Sequence, residues 1–140
     1  MDRRRVRNPP SRPLVLIIDG HGDTRDLYLE ALSGLGFEAI AVDDDAHAYE
    51  RAWESHPDII VTELTLPHSD GWHLLQRVKD DPRKRGIPVV VVTGDAAPGV
   101  RERAEREGCA AFFLKPCLPD DLAIQLRQLI EGRAPATATY

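Results

Sequence analysis

The sequence predicts an α/β fold in which a single, doubly wound domain holds a five-stranded parallel sheet with about five helices. Three observations carry this prediction. Five short apolar runs recur at even spacing along the 140 residues, a segment of helical pattern follows each, and three of the runs are almost unbroken Val, Ile and Leu. Unbroken runs mark strands covered on both faces. Strict strand–helix alternation implies parallel neighbours joined by right-handed crossovers. The length suits one domain with a sizeable core.

Each element can be justified in turn. The first strand is LVLII (14–18), and the helix after it spans 23–35, with Leu27, Ala31, Leu32 and Leu35 as its apolar stripe and Gly34 and Gly36 at its exit. FEAIAV (37–42) is less uniform and suits an edge strand; a weaker helix over 45–56, built around Tyr49, Ala52 and Trp53, is stopped by Pro57. DIIVTE (58–63) is the third strand, and Leu74, Leu75 and Val78 define a short helix after SDG. IPVVVVT (87–93) is the fourth strand. Residues 98–107 offer little apolar face beyond Val100 and Ala104, so Glu102–Arg106 and Arg103–Glu107 pairs are expected to hold that helix locally. CAAFFL (109–114) is the last strand. The final helix opens on Pro119 with Asp120 and Asp121 against its dipole, buries Leu122, Ala123, Leu126, Leu129 and Ile130, and ends at Gly132.

This places the domain at 14–131, with a basic flexible arm at 1–13 and a flexible tail at 132–140. The arm carries five Arg against one Asp, whereas the whole chain has a net charge of −5, so the body is acidic and is not expected to bind nucleic acid by charge. No apolar run approaches the roughly 18–20 residues of a membrane span, and the Arg-rich start lacks the apolar core of a secretory signal. Cys109 and Cys117, eight apart, match neither a zinc pair nor a disulfide framework, so a reducing cytoplasm is the expected location.

In an open α/β sheet, ligands gather at the carboxyl ends of the strands. Those ends deliver Asp19 followed by Gly20 and His21, then Glu63, then Thr93, then Lys115 followed by Pro116. Two acids, a hydroxyl and an ammonium thus converge on one rim. The segments VLIIDGHGDTR, GFEAIAVDD, PDIIVTELTLPHSDGW, IPVVVVTGDA and GCAAFFLKP, in this order and spacing, resemble the receiver domain of bacterial response regulators in two-component signalling. The resemblance implies a CheY-like, flavodoxin-like sheet of order 2-1-3-4-5. It implies that Thr93 and Lys115 contact a phosphoryl group, that Asp19 is one Mg²⁺ ligand, that Phe112 is the aromatic reporting the state, and that Lys115–Pro116 is cis.

Two positions depart from that pattern. Glu63 stands where the family has its phosphoacceptor Asp, and Gly20 stands where it has a second acid. A Gly cannot ligate a metal through a side chain, and an extra methylene displaces the nucleophile by about 1.3 Å, enough to cost roughly 10²-fold in transfer. The expectation is therefore a degenerate, stand-alone receiver that is not an enzyme, binds Mg²⁺ weakly or not at all, and acts independently of phosphorylation as a protein-interaction module. Its partner would be a histidine kinase or a downstream effector, met through the fourth helix, fifth strand and fifth helix, with a homodimer on that face also open. Glu63 either imitates a phosphoryl group toward Lys115 and Thr93 or simply pairs with Lys115; both readings stand at this point. Alternatives are an active receiver using another residue, such as Thr62 or Thr65, and a ligand or metal site built from Asp19, His21 and Glu63.

Overall fold

A computed structural model describes residues 12–43, 50–51, 54–67 and 70–132. In it, β1 (Leu14–Ile18), β2 (Glu38–Val42), β3 (Ile59–Thr62), β4 (Val89–Thr93) and β5 (Ala111–Leu114) form one parallel sheet of order β2-β1-β3-β4-β5. The helices α1 (Gly22–Gly34), α2 (Gly71–Asp80), α3 (Val100–Arg106) and α4 (Pro119–Ile130) are the four named among the described residues. The helix expected over 45–56 lies largely outside the described residues, as do its Tyr49, Ala52 and Trp53, but Glu50, Arg51, Glu54 and Ser55 are helical. No described helix is long and apolar enough to cross a membrane.

The unbroken strand runs are explained by burial on both faces. Val15 and Ile17 of β1 enter a core with Tyr28, Leu32, Leu122 and Leu126, beneath α1 and α4. Their neighbours Leu16 and Ile18 turn to the opposite face, where Leu74, Leu75 and Val78 of α2 pack. A third, smaller cluster of Leu64, Val91, Ala104 and Phe112 lies beneath α3. Two-sided cover follows from the period of two along each strand, and β2, the least uniform run, is an edge.

Two differences from the sequence reading have physical causes. On α1 the buried residues are Tyr28 and Leu32, whereas Leu27 is 54% exposed and Leu35 40%. Tyr28 is buried because its hydroxyl finds a partner, donating to the Cys117 carbonyl at 2.8 Å. Arg12 and Pro13, ahead of the first strand, are bonded to the start of β2: the Pro13 carbonyl accepts from the Glu38 amide, and Arg12 donates to the Phe37 carbonyl at 2.9 Å. On α3 only one of the two expected i,i+4 pairs closes, Arg103 with Glu107; no ion pair joins Glu102 to Arg106 among the described residues.

Candidate functional site

The site is built by continuing the sheet ladder one step past the strand ends. The Asp19 amide donates to the Val42 carbonyl (3.1 Å), the Glu63 amide to Ile18 (2.9 Å), and the Lys115 amide to Thr93 (2.8 Å). These bonds fix three backbones side by side, so their side chains meet on the rim. The Lys115 ammonium lies 2.8 Å from Asp19 Oδ2 and 3.0 Å from Glu63 Oε2. It stands between two buried carboxylates, 3% and 5% exposed as whole residues. Burial pulls the Lys115 pKa down, but hydrogen bonds and charge from Asp19 and Glu63 outweigh it and hold the ammonium above its ordinary value.

Every remaining carboxylate oxygen has a donor of its own. Glu63 Oε1 accepts from the Leu64 amide at 2.7 Å and more distantly from Thr65 at 3.4 Å. Asp19 Oδ1 accepts from the His21 amide at 2.9 Å and faces His21 Nδ1 at 3.3 Å. Arg25, one turn into α1, donates to the Asp19 carbonyl at 2.8 Å. Glu63 is held from behind by Gly71, where an added Cβ would stand 2.3 Å from the Glu63 carbonyl oxygen. Its helix, α2, is capped by Asp70, which accepts from the His73 amide at 3.0 Å.

Thr93 is fully buried, and its hydroxyl oxygen accepts the Asp95 amide at 3.1 Å, capping the turn after β4. Glu63 makes no hydrogen bond to Thr93 among the described residues. Phe112 is packed inward, 3% exposed, and the Lys115–Pro116 bond is cis. Gly20 is more than a missing acid: a Cβ there would lie 2.9 Å from Pro67 Cδ and 3.1 Å from Cγ, because the loop after β3 sits over it.

Other expected site residues do not come together. Asp19, His21 and Glu63 form no ligand set, because the Lys115 ammonium fills the space between the carboxylates and the His21 side chain is 77% exposed. Among the described residues no group of three or more His, Cys, Asp and Glu could hold a metal ion. Thr62 is fully buried and donates to the Glu63 carbonyl at 2.9 Å, so its hydroxyl is committed. Burial pushes the Cys109 thiol up to about 11 and raises that of Cys117, which leaves neither primed for redox chemistry. Sequence reasoning missed Arg25, Tyr28, Pro67 and Gly71. Of these, Gly71 alone carried a visible signal, as the glycine of SDG next to a helix start.

Residues 15–127 match the family described as the response regulator receiver domain. The chain belongs to that family. As a receiver of two-component signalling, it is similar to the polar-differentiation response regulator DivK of Brucella ovis, at 33% identity over 102 residues, which are 73% of this chain and 83% of the relative. The DivK of Brucella anthropi is 32% identical over the same extent. Among solved structures, a CheY-like receiver from Methanospirillum hungatei superposes with a TM-score of 0.81 at 20% identity, covering 88% of this receiver and 97% of that chain. The chemotaxis regulator CheY4 of Vibrio cholerae gives 0.76 at 19% identity, covering 85% and 98%. Receivers act by meeting signalling proteins, and this chain has the CheY-like fold on which those solved structures superpose.

Proposed function

We propose that this receiver is a degenerate, phosphorylation-independent interaction module, not an enzyme, that binds a histidine kinase or a downstream effector. The observation that supports it best is the seat of Lys115, 2.8 Å from Asp19 and 3.0 Å from Glu63. One internal cation is shared between both acids, where a phosphoryl group and its metal would otherwise sit. The donor set does not fit Mg²⁺. Position 20 offers no side chain and lies under Pro67, and the Asp19 oxygens already face Lys115 and His21.

The contacts of Glu63 favour plain pairing over phosphoryl imitation. Its oxygens go to Lys115 and to the Leu64 and Thr65 amides, and among the described residues it makes no hydrogen bond to the Thr93 hydroxyl, which accepts from the Asp95 amide. A phosphoryl group would bring three acceptor oxygens and close to two charges, whereas the Glu63 carboxylate brings two oxygens and one charge and shares its ammonium with Asp19. The partner face is the surface of α3, β5 and α4, which carries the alternating charges of VRERAER and the exposed Leu114; a homodimer would use the same surface.

The deciding experiment is incubation with acetyl phosphate and Mg²⁺ followed by intact mass measurement. The unmodified mass is expected throughout, and a labile added phosphoryl group would overturn the proposal. Partner capture with wild type and Glu63→Gln side by side then separates the two readings of Glu63. Equal capture is expected from pairing, and loss of capture would instead show that the charge imitates a phosphoryl group.

A further inference from the structure

The helix on the proposed partner face is held unusually. Of its seven residues only Ala104 is fully buried, and Val100 is partly so. Two guanidiniums supply what the apolar face lacks. Arg101 lies over the Phe112 ring at 4.8 Å and donates to the Phe112 carbonyl at 3.3 Å. Arg103 lies over the Trp72 ring at 4.0 Å and also pairs with Glu107. The first joins α3 to β5 and the second joins α3 to α2. A groove of about 170 Å³ between residues 95–102 and the side chains of Phe112 and Leu114 leaves the Arg101 flank without full apolar cover.

The carbonyl that Arg101 takes is on the outer edge of the sheet. β5 pairs only with β4, so its other side offers backbone groups to no further strand. One side chain therefore fixes both the ring and the backbone of Phe112. The planar fork of Arg can make both contacts at once, which a Lys ammonium cannot do as well.

From this geometry we infer that Arg101, with Arg103 as its counterpart on Trp72, is the positioning residue that latches α3 and Phe112 in place, and that the latch does not depend on the charge of Glu63. The inference uses the proposed function only for its consequence, namely that the partner face is held ready by arginine–aromatic contacts. Its test uses no partner, so it can fail while that proposal stands.

Amide hydrogen exchange should be followed by mass spectrometry on the whole chain for wild type, Arg101→Gln, Arg101→Lys and Glu63→Gln. Arg101→Gln is expected to speed exchange in 100–107 and 111–114 by roughly tenfold while leaving 59–62 unchanged, the scale of a partly desolvated guanidinium–ring contact. Arg101→Lys is expected to recover only part of the protection, and Glu63→Gln to leave α3 as in wild type. Unchanged exchange in Arg101→Gln, full recovery in Arg101→Lys, a rise spread evenly over all strands, or an equal opening of α3 in Glu63→Gln would each overturn the inference.

Discussion

Lys115 is the residue on which the rim depends, because it is shared. Removing Glu63 leaves it the Asp19 oxygen, whereas removing Lys115 leaves two buried carboxylates facing each other without a cation. Lys115→Met is therefore expected to cost about 3–5 kcal/mol and Glu63→Ala about 1–3 kcal/mol, an order that urea denaturation checks directly. Equal costs would mean the pairs are independent. Gly71→Ala tests the site from behind: a Cβ 2.3 Å from the Glu63 carbonyl forces the loop outward, with an expected loss of about 1–3 kcal/mol. At this scale the sequence was legible where strand ends deliver side chains, hence Asp19, Glu63, Thr93 and Lys115. It paired Lys115 with Glu63 and left out Asp19, because the full pairing depends on distances across three strands, and the ammonium meets both acids.

Among the elements, α1 shows the limit of pattern reading. Leu27 outranks Tyr28 by hydropathy, yet the phenol is inside, since its hydroxyl reaches the Cys117 carbonyl beyond β5 and ties α1 to the turn after Lys115. A helical stripe fixes the period of a helix but not its phase when an aromatic with a polar tip competes. The strands carried no such ambiguity, because residues buried on both faces leave no phase to choose. The α1–β2 corner depends similarly on a residue from elsewhere: Arg127 of α4 stacks on Phe37 at 4.5 Å and donates to the Gly36 carbonyl at 3.2 Å. Arg127→Ala is expected to lower stability by about 1–2 kcal/mol, read as a shifted urea midpoint with an unchanged slope.

For the molecule as a whole, the same contacts set an alkaline limit. The folded Lys115 pKa is raised, so its contribution is complete below the ordinary value of 10.5 and fades as pH climbs through the raised one. Burial, chiefly, also raises the Tyr28 phenol, while in the unfolded chain it ionises around 10.0; high pH therefore favours unfolding through this group as well. Stability is expected to be flat through neutrality with respect to these two groups and to fall above about pH 10. Tyr28→Phe should make that fall shallower, and a slope identical to wild type in denaturant titrations at several pH values would show that Tyr28 takes no part.

The closeness of Pro67 to Gly20 has a consequence for which side chains position 20 can accept. The loop carrying Pro67 lies within 2.9 Å of where a Cβ at position 20 would be. An acid returned there by a single substitution meets a ring before it can meet a metal, and Gly20→Asp is expected to lower the melting temperature whatever occupies position 63. Position 20 is thus closed to a larger side chain by packing as well as by sequence, and the loop must move before an acid there can be of use.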